Sequence, residues 1–299
     1  MAAEQSGTQG PAAGDYIVHH LQHLQMNFSG QGVKQTSIVD FSLFNLDSLI
    51  YSVILGVLGC FFLWRAARKA TSGVPGRFQA AVEMLSELVE TQARGVVRNA
   101  NSRKLVAPLA LTVFVWIFLM NAMDMLPVDL LPELWAFAYG AAGHDPAHAY
   151  MRVVPTADLS TTLGLSISVL LVCLAYNIKI KGPGGWAHEL VAAPFGDRVF
   201  LYPINFLMQV IEYFAKTLSH GMRLFGNMFA GELVFMLVAL LGGAWAWQFN
   251  PLQGGFYLGV GHILAGTVWS IFHILVITLQ AFIFMMLTLI YVGQAHDSH

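Results

Sequence analysis

An all-helical, polytopic membrane protein is what this sequence predicts, on three observations. Of its 299 residues, 56% are hydrophobic and only 11% are charged, with mean hydropathy +0.61; an ordinary soluble domain carries roughly 25% charged residues. Apolar runs long enough to cross a bilayer recur at 41–64, 105–126, 159–180, 205–241 and 254–292. Between the first two runs, residues 77–98 place Phe78, Val82, Leu85, Leu88 and Val89 at helical spacing with Glu83, Glu87 and Glu90 between them, the pattern of an amphipathic helix lying on a membrane surface. The expected organisation is an extramembrane tail over 1–40 and one membrane domain over 41–299, with about five spans and one interfacial helix.

Taken in chain order, Met1 to Gly14 has neither a basic n-region nor an apolar stretch, so it reads as a mobile tail rather than a cleavable signal. The link after the first span holds Arg65, Arg68, Lys69, Arg77, Arg94, Arg98, Arg103 and Lys104, whereas 127–157 holds Asp129, Glu133, Asp145 and one base, Arg152. The positive-inside rule therefore sets the N-terminus outside. Lys179 and Lys181 mark the inner surface again, and five crossings leave Asp297–His299 inside. The last two runs are too long for simple spans. Asn205–Leu241 would make a helix of roughly 55 Å against a hydrocarbon core of about 30 Å, so it must incline, bend or project. The link Gly242–Gln253, rich in Gly with Asn250 and Pro251, suits a turn, and the two arms are expected to form a long oblique hairpin.

Composition also excludes. A net charge of −2 gives no basic field for nucleic acid, and there is no Gly-rich phosphate loop. Cys60 and Cys173 lie in apolar runs and read as small buried thiols. No catalytic residue, cofactor or metal site is assigned.

The chemistry is concentrated in the hairpin. On a helix from Asn205 to Leu241, Asn205, Gln209, Glu212, Lys216, Ser219, His220, Arg223 and Asn227 fall within about 60° of the Arg223 direction, a polar edge on an oily rod. Glu232 points about 180° away. An intramembrane arginine is a functional-site candidate; its bland alternatives are an ion pair with Glu212, Glu232 or Asp124, or a snorkel to the surface. Lys216 is better read as the partner of Glu212, four residues before it. On the second arm His262, His273 and Gln280 lie within about 20° of one face. His273 suits either an ion path or a buried histidine bonded between helices. Asn121 and Asp124, at the end of the second span, suit either wetted helix-end groups or the mouth of an aqueous path.

The segment Ser219-His-Gly-Met-Arg223-Leu-Phe-Gly-Asn227-Met-Phe-Ala-Gly-Glu232, followed by Phe272-His273-Ile-Leu-Val-Ile-Thr-Leu-Gln280, resembles the signature of the subunit a family of F-type rotary ATP synthases. The Asn121–Pro127 segment and the tandem His19-His20-Leu agree with it. The resemblance implies a non-catalytic stator protein of a bacterial inner membrane, with the N-terminus periplasmic, whose hairpin faces a rotating ring of c subunits. It implies the essential stator charge at Arg223, and an outer half-channel at Asn121, Asp124, Asn227, Glu232, His273 and Gln280. An inner half-channel would run around Ser219 and below. Membrane lipid, the c ring, the subunit b stalk and other synthase subunits are the implied partners. Two positions depart from the family pattern. Gln209 stands where a glutamate is usual, with Glu212 expected to take over at the inner mouth, and His220 replaces an aliphatic residue, as a neutral packer or a titrating group.

Two other classes compete. A stand-alone secondary transporter or channel would also hold intramembrane charges, but no two-halved repeat is present. A haem carrier would need His220, His262 and His273 as ligands, and the last two share one helix too far apart for one iron.

Overall fold

A computed structural model describes residues 13–27, 42–97, 99–145, 149–192, 195–196, 199–247 and 255–296. Its elements are α1 (Ala13–His20), β1 (Gln25–Asn27), β2 (Leu43–Asn45), α2 (Leu46–Arg68), α3 (Arg77–Val96), α4 (Ala100–Ala122), α5 (Leu130–Ala141), α6 (Leu159–Ala192), α7 (Tyr202–Trp247) and α8 (Gly255–Gly293). Five helices are long and apolar enough to cross a membrane, as the hydropathy predicts. Of the long arms, α7 is longer than expected and α8 has the expected length. With 46 and 39 residues, α7 and α8 extend about 69 and 58 Å at 1.5 Å per residue.

The chain divides into two compact units. The first comprises Met1–Tyr51, Met123–Val154 and Ala230–His273; the second comprises Ser52–Ala122, Pro155–Phe229 and Ile274–His299.

In the first unit, β1 and β2 pair antiparallel, Gln25 opposite Asn45 and Asn27 opposite Leu43. Three residues that hydropathy assigns to the first span are thus strand, and α2 begins at Leu46. Gln25 Nε2 donates to Asn45 Oδ1 at 3.2 Å, and the Leu46 amide donates to Leu24 O at 3.0 Å, so the segment after α1 is tied to the start of α2. The parts of α7 and α8 in this unit run antiparallel and meet at two notches. A Cβ on Gly242 would lie 2.7 Å from the His262 ring, and one on Gly231 would collide with the His273 ring. His262 Nδ1 sits 2.8 Å from Val238 O. Since a carbonyl oxygen only accepts, Nδ1 is the protonated nitrogen there.

In the second unit, α3 packs on α4 through Val89, Ala93 and Val97, all buried. Of the apolar stripe read from the sequence, Val89 is buried, Val82 and Leu85 are half-buried, and Phe78 and Leu88 are exposed. Asn99 Oδ1 accepts the Asn101 amide at 2.9 Å, a side-chain cap that starts α4 five residues before the apolar run. Small residues let α2 approach α4: Cβ atoms on Gly56 and Gly59 would stand 3.1 Å from Trp116 Nε1 and 3.2 Å from Leu119 Cδ1, the close approach typical of membrane helices. Trp116 Nε1 donates to Ser52 O at 2.8 Å. Helix α6 breaks at Gly182, which has φ 73° and is followed by Pro183, close to the expected end of the third span. A left-handed glycine stops one helix, and proline can open the next but cannot continue the first. Across the break, Lys181 Nζ pairs with Glu189 at 2.7 Å.

Gly242 and Gly243 lie inside α7, which runs on to Trp247; with His262 against it, Gly242 serves as a packing notch and not as a helix stop. The expected turn residues 248–253, Arg98 at the end of the interfacial helix, residues 1–12 of the N-terminal tail and the tail Asp297–His299 lie outside the described residues.

Candidate functional site

Intramembrane charge is treated in opposite ways by the two units. In the first, Glu232 on α7 and Arg152 are both buried, each 6% exposed. Arg152 Nε lies 3.1 Å from Glu232 Oε2 and 3.3 Å from Oε1, and Nη2 donates to Oε2 at 2.5 Å. This planar fork on a carboxylate is the geometry in which a desolvated ion pair is best compensated. The third side of the guanidinium faces the N-terminal segment, where Nη1 lies 3.1 Å from His23 Nε2. His23 Nδ1 in turn lies 3.3 Å from Asp47 Oδ2. Asp47, itself buried, accepts three backbone amides: Ser48 at 2.8 Å, Arg152 at 3.0 Å and Leu24 at 3.1 Å. One carboxylate therefore fixes the second residue of α2, the loop before Pro155 and the turn after α1.

Beside this chain of contacts, His273 Nε2 on α8 lies 2.7 Å from Asp124 Oδ2, and both side chains are buried. Gly231 makes room for them, since a Cβ there would meet the imidazole and stand 3.1 Å from Asp124 Oδ2. Phe235 and Trp269 close around the same ring, at centroid distances of 5.1 and 5.9 Å. A cavity of about 30 Å³ lined by His20, Asp124, Pro127, Val128, Glu232 and Met236 leaves space for a water molecule between the two acids. At its edge His20 Nε2 pairs with Asp129 Oδ1 at 3.0 Å.

In the second unit the stripe on α7 is open. Glu212, Ser219, Arg223, Gly226 and Asn227 are exposed, while His220, at the margin of the stripe, and Leu224 and Met228 beyond it are buried. Among the described residues no carboxylate pairs with Arg223. Each of the three acids the sequence offers it has another partner: Lys216 Nζ lies 2.6 Å from Glu212, Arg152 holds Glu232, and His273 lies against Asp124. The Arg223 backbone carbonyl accepts Gln280 Nε2 at 3.4 Å. Lys216 also reaches Gln294 Oε1 at 3.1 Å and the face of Tyr291. His220 packs with its ring centroid 3.7 Å from that of Phe284 and 5.8 Å from that of Tyr291, the arrangement of a packing ring. Asn205, the first residue of the predicted stripe, is a corner staple. Its Nδ2 donates to the carbonyls of Val191, Ala192 and Gly196, and its Oδ1 accepts the Phe195 amide. Asn121, fully buried, leaves both side-chain polar atoms without a protein partner among the described residues, a pair of groups free to bind water or a proton carrier.

The sequence-predicted residues are thus distributed between the units. Asp124, Glu232 and His273 belong to the first; Asn121, Glu212, Ser219, Arg223, Asn227 and Gln280 belong to the second. Sequence reasoning missed Arg152 as the partner of Glu232, although its isolation as the one base in an acidic loop was a usable signal. Asp47, His23 and Gly231 had none beyond their residue type.

Fold and site together define a multi-pass helical membrane protein that closes one set of buried charges and leaves an arginine stripe open. The ATP synthase A chain family matches residues 49–293. Relatives described as ATP synthase subunit a from Paracidovorax citrulli strain AAC00-1 and Acidovorax sp. strain JS42 are each 66% identical over 305 residues, covering 100% of both chains. One of the same description from Verminephrobacter eiseniae strain EF01-2 is 61% identical over 295 residues, covering 97% of this chain and 98% of its own. The chain belongs to the ATP synthase A chain family.

Proposed function

We propose that this chain is the stator protein of an ATP synthase membrane sector, and that it couples proton flow across a bacterial inner membrane to rotation of a ring of c subunits without itself catalysing a covalent step. Arg223 is the fixed charge past which each ring carboxylate must travel. Asn121, Asp124, Asn227, Glu232, His273 and Gln280 serve the outer half-channel; Ser219 and Glu212 serve the inner one. The N-terminus is periplasmic and the C-terminus cytoplasmic, and the b stalk and other synthase subunits hold the stator in place.

The observation that carries this reading is the exposed, carboxylate-free Arg223 on a helix whose other acids are all paired. A guanidinium stays protonated and cannot relay a proton, so its role is electrostatic. At an effective dielectric near 20, a carboxylate about 4 Å from it is favoured in its ionised form by roughly 4 kcal/mol, or about 3 pKa units. An arriving acid gives up its proton there. Once past, it reprotonates from the other half-channel, since a carboxylate facing lipid is costly when charged. The membrane potential, about 2.3 kcal/mol per charge per 100 mV, gives the cycle its direction.

The test is ATP-driven proton uptake by inverted vesicles whose complex carries Arg223→Ala, with assembly checked by co-purification of the catalytic head. Pumping is expected to fall to background with assembly intact. Normal coupled pumping would overturn the reading.

A further inference from the structure

We propose that His23 is a positioning residue for the outer carboxylate site: as a neutral imidazole it fixes Arg152 on Glu232, and on protonation it lets Arg152 go. The proposal rests on the reading that Glu232 exchanges protons on the outer path, and it adds to that reading an element from outside the helical hairpin.

The argument is one of donors and acceptors. His23 stands between two groups of opposite hydrogen-bonding character, with Nε2 3.1 Å from Arg152 Nη1 and Nδ1 3.3 Å from Asp47 Oδ2. A guanidinium has donors and no acceptor, and an ionised carboxylate has acceptors and no donor. The contact to Arg152 therefore needs a bare lone pair on Nε2, and the contact to Asp47 needs a proton on Nδ1. Only the neutral Nδ1–H tautomer satisfies both. Adding a proton at Nε2 would turn an N–H toward an N–H and set two cations side by side, while the contact to Asp47 would strengthen. Protonation thus shifts His23 from bridging to Asp47 alone and frees one side of the arginine fork.

Asp47 from α2 and Arg152 from the loop before Pro155 are the charged groups that face His23. Beyond Arg152 lies Glu232 from α7, and the pair His20–Asp129 stands on the neighbouring turn. The backbone holds this geometry firmly, because Asp47 binds the amides of both Leu24 and Arg152 and so spaces the two side chains. His23 is half-buried.

The experiment uses the whole synthase reconstituted in proteoliposomes. ATP synthesis is measured while the pH of the compartment facing the N-terminal side is varied at constant total driving force. His23→Gln keeps one donor and one acceptor but cannot take up a proton; His23→Leu keeps neither. The assembled His23→Leu complex is expected to lose roughly tenfold in rate at neutral pH, the scale of a lost hydrogen bond to a charged group, with the gap to the native complex narrowing as the outer compartment is acidified. His23→Gln is expected to stay within about twofold of the native rate at neutral pH and to lack the decline expected of the native complex as the outer compartment is acidified. A native rate in assembled His23→Leu, or an unaltered pH profile in His23→Gln, would overturn the proposal. Should His23→Leu not assemble, the profile of His23→Gln decides. Glu232→Gln in the same assay separates the two claims: if it runs at the native rate, the outer-path reading falls, whereas an inactive Glu232→Gln beside silent His23 variants removes only the role of His23.

Discussion

Helix α7 contributes to both units, and its two portions treat charge differently. From Ala230 onward it presents Glu232 to a buried fork from Arg152 and, through Gly231, makes room for the pair His273–Asp124. Up to Phe229 it presents Arg223, Ser219 and Asn227 to the outside, and among the described residues no carboxylate pairs with the arginine. The first arrangement is complete within one polypeptide. The second leaves a cation with no carboxylate partner among the described residues, and a charge at membrane depth is costly enough to mark a functional-site candidate.

The largest effect expected from this contrast is in stability. Arg152→Leu strands Glu232 as an uncompensated buried charge and should cost about 3–5 kcal/mol, read as loss of the subunit from the assembled complex or as a lower melting temperature in detergent. Replacing both partners by leucine should recover a good part of it, because removing a buried pair together is far milder than breaking it. Arg223→Ala, by contrast, should alter stability by no more than about 0.5 kcal/mol while abolishing pumping. Equal losses in the two variants would erase the distinction between a closed and an open charge.

A smaller effect sharpens the same boundary. Gly231→Ala pushes a methyl group into the His273 ring and toward Asp124 Oδ2, and overpacking of this kind costs about 1–3 kcal/mol. Gly164→Ala on α6, where a Cβ meets nothing within 4 Å, should be neutral or stabilising by up to about 1 kcal/mol through helix propensity alone. Melting curves of the two assembled variants check the pair, and matching values would mean that the notch at Gly231 is not needed for the His273–Asp124 contact.

The smallest effect is expected at His220. Its ring packs on Phe284, so His220→Phe should keep proton pumping within about twofold of native and change stability by less than about 1.5 kcal/mol, the range of volume-conserving swaps. A large loss of pumping with assembly intact would instead make this imidazole part of the stripe.

Much of this was legible in the residues themselves. Five apolar runs gave five long helices, and a 3.6-residue period gave the polar edge on α7 and the helical form of α3, though of its apolar stripe only Val89 is fully buried; these signals are local. Arg152 meets Glu232 across 80 positions of sequence, and no periodicity encodes such a pairing; only the scarcity of bases in its loop hinted at it. His23 and Asp47 are joined by a strand pair three residues long, too short to stand out from its surroundings. Asn205 has the right phase for the stripe but spends its hydrogen bonds on the corner before α7, a reminder that phase gives direction and not partner.

The two glycine notches on α7 and the two histidines on α8 share one spacing, eleven residues between Gly231 and Gly242 and eleven between His262 and His273. They act as two pins in two sockets set three helical turns apart, about 16.5 Å. Sliding one arm by a single turn, about 5.4 Å, would drive both rings against positions that carry side chains, so this stretch of the hairpin has one seating rather than a graded series. A push along α7 would then pass to α8 with no slack, as between keyed shafts.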